Sequence, residues 1–335
     1  MSATVEMTRA ANELPEVWDA LATNSFQKRA FLHHCEKYNP CAQRYYTLEE
    51  NGSVLGGAIV YSLKLDLLTF LEIRSPLTMQ MVGVPCSVDS SGLLGTEADH
   101  TALLRAIIKK ERGLLLALNL ESVPRGLPLA VGKTWPGVVL ENRYATWAEY
   151  ESALRSPYRR RLEHILRVEE GLRSETGSCD RFTPAMHEMY LEVYRRSRGK
   201  LERLSCEFFR NLPETFQLTT IFRDADLSGW FVTLVDGERF FFFLGGQKYD
   251  ERSHEVYLVK LASMIRQGIA SGARHINLGQ SAEVPKMRMG GTVQEKIMVV
   301  HHHRPVFQAA LHASIGMLAY HRRFQPAHVF KEGQP

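Results

Sequence analysis

A helix that runs into a short strand, and the strand into a polar loop closed by glycines, is the pattern that most constrains this chain. Over 255–270 apolar residues recur at helical spacing, and Gly272 stops the helix. A strand follows over 274–278. It opens into a loop that carries Lys286 and closes on Gly290 and Gly291. An α/β protein builds a ligand crevice with such a loop at a strand end.

The order of elements occurs twice. In the first half, a helix over 26–38 ends at Asn39-Pro40, and strands over 43–48 and 54–63 flank a hairpin turn at Asn51-Gly52. Strands over 67–73 and 79–84 continue that sheet. A helix over 101–112 stops at Gly113, and the apolar run over 114–120 reads as a buried strand. In the second half, helices over 158–172, 185–196 and 206–211 precede strands over 216–223, 230–235 and 239–244. Asp236-Gly237 is the second hairpin turn. The helix and strand of the opening pattern come next, then a strand over 296–302 and a helix over 306–324. Residues 1–25 read as a lead-in, and 135–150 as a bridge. The repetition predicts a tandem duplication of one α/β module, 1–150 and 151–335.

A length of 335 residues suits two domains, and 44% hydrophobic with 23% charged residues is ordinary for a globular protein. No apolar run reaches about 18 residues, and no basic-then-apolar leader is visible. Neither a spanning segment nor a membrane partner is expected. Five scattered cysteines fit free thiols in a reducing cytoplasm. A net charge of +4 is too mild to signal nucleic acid by itself, but basic residues cluster. One cluster holds Arg155, Arg159, Arg160, Arg161, Arg167 and Arg173, and the other holds Arg195, Arg196, Arg198, Lys200 and Arg203. Such patches attract phosphates. Walker, Rossmann and Gly-x-Ser-x-Gly patterns are absent. Of His301, His302 and His303, only the first and third share a strand face, and no further ligand stands at metal spacing, so no metal is expected. The oligomeric state is not legible.

The run from Ile276 to Gly290 resembles a signature of the Fem-like branch of the GNAT acyltransferase superfamily. A strand ends in Asn277-Leu278-Gly279, a lysine follows at Lys286, and a hydrophobic residue precedes Gly290. The start Ser156-Pro157-Tyr158-Arg159-Arg160-Arg161 is similar to the helix start before the second module of such proteins. The resemblance implies an α/β (α+β) fold of two tandem GNAT-like modules. Each is a mixed, mostly antiparallel sheet with a splayed parallel strand pair, flanked by helices. It also implies transfer of an acyl or aminoacyl group to a small-molecule amine by direct attack, forming an amide. The co-substrate it implies is acyl-CoA or aminoacyl-tRNA, with no cofactor tightly bound. Both donors stay open: the glycine loop that grips CoA pyrophosphate is missing between Gln247 and Val256, and the arginine clusters suit tRNA. The alternative is an inactive GNAT-fold protein that binds a small molecule or a nucleic acid.

On that resemblance, Lys286 and Arg288 bind a phosphate or carboxylate of the donor. Asn277, Gln280 and Ser281 line the strand end, with Asn277 placed to orient the amine. Glu283 accepts the amine's proton, and Tyr249, after the strand over 239–244, protonates the leaving group. Arg159, Arg160 and Arg196 supply anion binding, although Arg159 and Glu163 also stand i,i+4 as a surface pair.

Overall fold

The computed structural model describes residues 3–66, 76–197 and 201–331. In chain order the elements are β1 (Thr4–Thr8), α1 (Val17–Leu21), α2 (Arg29–Tyr38), β2 (Arg44–Glu50), β3 (Ser53–Asp66), β4 (Pro76–Val82), β5 (Leu93–Leu94), α3 (Glu97–Lys110), β6 (Leu114–Leu120) and β7 (Ala130–Glu141). Then come α4 (Trp147–Ala153), α5 (Ser156–Glu169), β8 (Arg173–Ser178), α6 (Pro184–Arg196), α7 (Cys206–Arg210), β9 (Phe216–Arg223), β10 (Asp226–Asp236), β11 (Arg239–Gln247), α8 (Ser253–Ala270), β12 (His275–Gln280), α9 (Glu283–Met287), β13 (Thr292–His302) and α10 (Pro305–Leu318).

Contacts divide the chain into two units that are not contiguous in sequence. Unit 1 is Met1–Trp135, Arg198–Leu204 and Glu295–Arg322; unit 2 is Pro136–Ser197, Ser205–Gln294 and Arg323–Pro335. The sequence expectation of 1–150 and 151–335 differs from this, because each unit takes a strand from the other half of the chain. In unit 1, β13 pairs antiparallel with β6, from His302↔Leu114 to Ile297↔Leu120. In unit 2, the end of β7 pairs antiparallel with β12, from Glu141↔His275 to Gly137↔Gln280. The segment over 135–150, read as a bridge, holds the end of β7 and the start of α4, and the chain passes from unit 1 to unit 2 at its beginning. Sheet edges recruit any strand with matching apolar alternation, and sequence order does not restrict the choice.

The strand order of unit 1 is β1-β2-β3-β4-β6-β13, with β5 also on β3. All neighbours are antiparallel except β4 and β6. The β2–β3 hairpin closes where expected, since Asn51 (φ 52°) and Gly52 (φ 77°) both take the positive φ of a tight hairpin turn. The helix expected over 101–112 starts earlier. Thr96 and Asp99 form a reciprocal capping box that starts α3 at Glu97. Leu103, Leu104 and Ile107 of α3 then pack against Leu48, Ala58, Val60, Leu115 and Val299. Full burial of each such side chain stabilises by roughly 1.5–3 kcal/mol. Residues 67–73, expected as a strand, lie outside the described residues.

In unit 2 the order is β7-β12-β11-β10-β9-β8. β8 and β1 were not anticipated: β8 is polar and almost wholly exposed, so it lacks the apolar alternation that marks a strand in sequence, and β1 is only five residues long. Helix α8 is the centre of the core. Val259, Ala262, Ile265 and Ile269 meet Leu162 and Ile165 of α5 and Phe231, Phe240 and Ile276 of the sheet. No helix among the described residues is long and apolar enough to cross a membrane.

Candidate functional site

The parallel pair β11/β12 is where unit 2 opens. The two strands are in register at Arg239↔His275, Phe240↔Ile276 and Phe241↔Asn277 only. β11 continues to Gln247, held on its other side by β10 through Phe231↔Gly245, Trp230↔Gly246 and Gly229↔Gln247. Among the described residues no ladder joins this last stretch to β12. A bulge falls in the same place. Register shifts between Phe231 and Thr233, so Phe243 and Leu244 face the single Val232. Bulges re-aim backbone groups and commonly sit beside active sites. Parting a parallel pair exposes main-chain N–H and C=O groups inside a sheet, where they can meet a ligand carbonyl.

The far wall of the opening is the turn after β12. Gly279 (φ 73°), Ser281 (φ 61°) and Ala282 (φ 49°) all lie in the left-handed region. Two non-glycine residues in that conformation store strain of about 1–3 kcal/mol each, and they persist only where the surroundings over-determine them. Two groups do so. Asn277 Oδ1 accepts the Gly279 N–H at 2.7 Å, and Lys286 Nζ donates to the carbonyls of Gly279 at 3.0 Å and Gln280 at 2.9 Å.

Lys286 lies in the short helix α9 rather than in a loop, is 4% exposed, and directs its ammonium to the strand's own carbonyls. With those two bonds it positions the turn. The structure brings Asn277, Gln280, Glu283 and Lys286 together at this turn. Glu283 is 1% exposed. Ser281 and Arg288 are exposed at its edge. Tyr249 stands apart on the rim, 40% exposed, with the Arg196 guanidinium 4.4 Å from its ring centroid. Partial burial raises its phenol pKa, and Arg196 opposes that.

The arginines are mostly committed to one another's neighbours. Arg195 pairs with Glu188 and Glu192, and Arg196 with Glu192 at 2.7 Å. Arg159 lies 3.9 Å from Glu163, while Arg160 and Arg161 are exposed. His301 Nδ1 meets the Pro128 carbonyl, and His303 Nδ1 accepts the Gly113 N–H. No group of three His, Cys, Asp or Glu is placed to hold a metal among the described residues.

Two residues on α8 were not singled out in sequence. Tyr257 has a buried hydroxyl with no hydrogen-bond partner among the described residues. Burial raises its phenol pKa, and the Glu283 carboxylate nearby raises it further. A buried unpaired hydroxyl costs about 1–3 kcal/mol, which a bound partner would recover. Lys260 is 4% exposed, and its Nζ donates to the Gly246 carbonyl at 3.0 Å. Desolvation lowers its pKa to about 7. Its signal was present in sequence: it stands four residues after Val256, within the helix's apolar stripe, where a lysine is out of place.

A mixed sheet whose one parallel pair parts beside a bulged strand and a buried helix is the acyltransferase architecture of the GNAT type. Residues 152–287 match the family model described as an acetyltransferase (GNAT) domain. FemX superposes with a TM-score of 0.57 at 11% identity, covering 93% of this chain and 100% of that one. A tandem GNAT protein from the clavulanic acid biosynthesis pathway gives 0.51 at 14%, covering 90% and 99%. A conserved protein of unknown function from Bacteroides thetaiotaomicron VPI-5482 gives 0.54 at 9%, covering 89% and 99%. At these identities the likeness is one of fold. No curated protein matches the chain by sequence. The matched segment points to transferase chemistry of the acyl-transfer class.

Proposed function

We propose that this protein transfers an acyl group from acyl-CoA to a small-molecule amine at the opening between β11 and β12. The observation that carries the reading is the short parallel register, three residue pairs followed by six residues of β11 with no partner from β12. In this reading a main-chain N–H of the bulged stretch of β11 donates to the acyl carbonyl, and the amine attacks that carbon. The carbon–nitrogen bond forms as the carbon–sulfur bond breaks. Glu283 takes the proton released by the amine, and Tyr257 supplies one to the leaving thiolate. Tyr257 is preferred to Tyr249 because its hydroxyl is buried and lacks a partner. Asn277 and Lys286 hold the wall against which the acceptor lies.

Acyl-CoA is preferred to aminoacyl-tRNA because Arg195 and Arg196, two of the five basic residues in the second cluster, are neutralised by Glu188 and Glu192. The test is release of free thiol from acetyl-CoA over a panel of amines, with charged tRNA as a second donor. Amine-dependent thiol release supports the proposal. Product formed only from charged tRNA would move the donor assignment, and binding of either donor without turnover would favour the inactive binding protein.

A further inference from the structure

Lys260 is the buried titratable group that the acyl-transfer reading leaves without a task. It stands on the face of α8 that carries Val256 and Met264, both buried. An apolar residue would fill that place without desolvating a charge, yet the chain puts an ammonium there. Its side chain lies against β10 and β11, where glycines make room. A Cβ on Gly229 would stand 3.4 Å from its Cδ, and one on Gly245 would stand 3.3 Å from its Nζ. The Nζ donates to the Gly246 carbonyl at 3.0 Å, and among the described residues it forms no ion pair. A costly buried lysine at the end of a parted strand pair is a functional candidate rather than packing.

What that bond holds follows from strand alternation. Main-chain groups of successive residues point to opposite edges of a strand. The Lys248 N–H donates to the Ser228 carbonyl of β10 at 3.0 Å. The Gly246 carbonyl therefore points to the β10 edge too, and it lies 3.3 Å from where a Cβ on Gly229 would stand. The N–H of the same peptide, that of Gln247, points to the opposite edge, along which β12 pairs only as far as Phe241↔Asn277. Gln247 is also fixed through its side chain, whose Nε2 donates to the Ser253 carbonyl at 3.2 Å. A carbonyl that accepts from an ammonium polarises its peptide, and the N–H becomes a stronger donor.

We infer that Lys260 is a positioning residue for acyl transfer: it holds and polarises the Gly246–Gln247 peptide, so that the Gln247 N–H is aimed at a carbonyl oxygen of the acyl donor. The inference rests on the acyl-transfer reading and adds to it a dependence on the charge of Lys260. Tyr257, one turn earlier on α8, is the titratable side chain that shares its face. β10 and β11 meet it with glycine, and their charged residues Asp226, Asp236 and Arg239 stand at the strand ends. Burial lowers its pKa to about 7. The ammonium is therefore present below about pH 7 and is lost as pH rises through that value.

The experiment follows free thiol released from acetyl-CoA by the full chain and by its Lys260→Met variant, with an amine that the wild type acylates, between about pH 5.5 and about pH 9. Titrations common to both proteins cancel in the ratio of their kcat/KM values. That ratio should favour the wild type about tenfold at about pH 6 and shrink at least about threefold by about pH 8.5. The variant should melt no lower than the wild type, so lost activity is not lost fold. Lys260→Gln, which keeps a donor but no charge, repeats the comparison with the packing changed in a different way. Equal kcat/KM in wild type and variants, or a ratio that does not move with pH, would overturn the inference and leave the acyl-transfer reading standing. A wild type that releases no thiol with any amine would overturn that reading and this inference with it.

Discussion

The parallel strand pairs of the two units begin alike and end differently. In unit 1, β4 and β6 are paired from Met79↔Leu114 to Val82↔Ala117, and β4 stops there. The chain loops over 83–92 and packs back against the strand end. Gly92 accepts the Ile59 N–H at 2.8 Å, and a Cβ on Gly92 would fall 2.3 Å from the Gly83 nitrogen, so only glycine fits. Asn119, at the end of β6, donates to the carbonyls of Val88 at 3.0 Å and Ser90 at 3.5 Å. In unit 2, β11 instead runs on past its last pair with β12 as far as Gln247. Parallel pairing alone does not create a crevice: what the chain does after the first strand decides whether the strand end is covered by its own loop. The family match, confined to 152–287, falls on the half that holds the uncovered pair.

The largest effect that would sharpen this contrast is on catalysis in unit 2. Glu283→Gln should lower kcat by about a hundredfold or more if the carboxylate receives the amine's proton. An undiminished kcat in that variant removes Glu283 from the mechanism. A second expectation concerns Lys260, whose pKa is lowered to about 7 by burial. Between that value and its unfolded pKa the unfolded chain binds the extra proton, so stability rises with pH across this window. The burial penalty is present in full below about pH 7 and fades towards about pH 10.5. Lys260→Met should therefore stabilise the protein more at pH 6 than at pH 9.5, by about 3 kcal/mol in denaturant titrations. A pH-independent difference would mean the amine is solvated.

Lys286→Ala comes third. Two strand-end carbonyls lose their donor, so kcat/KM should fall about tenfold, equivalent to ~1.4 kcal/mol, along with the melting temperature. Loss of stability without loss of activity would show that the turn does not shape the site. The smallest effect tests unit 1. Asn119→Ala should cost about 1–2 kcal/mol of stability, because it releases two loop carbonyls, and should leave kcat/KM unchanged. A matching loss of activity would break the comparison by showing that the covered strand end takes part in turnover.

Some of this was legible before any coordinates. β6 and β9 lie at the bounds read from apolar patterning, 114–120 and 216–223, because a buried strand writes its environment into consecutive residues. The turn at Asn51-Gly52 was legible because positive φ is a property of the residue itself. Asn277, Glu283 and Lys286 were singled out through the likeness of a single loop, and the fold gathers them at one turn. That Lys286 folds back on the strand-end carbonyls was not legible, because a lysine between Pro285 and Met287 looks the same in sequence whether it faces solvent or turns inward.

Sequence by itself determined the local elements and the family signature at 276–290, since both follow from short-range spacing and side-chain chemistry. Tertiary structure alone decided that the units exchange β7 and β13, that one strand pair is covered and the other left apart, and that Lys260 and the Tyr257 hydroxyl are buried. Each of these depends on which distant segments compete for the same strand edge or helix face, and that competition is settled only when the whole chain packs.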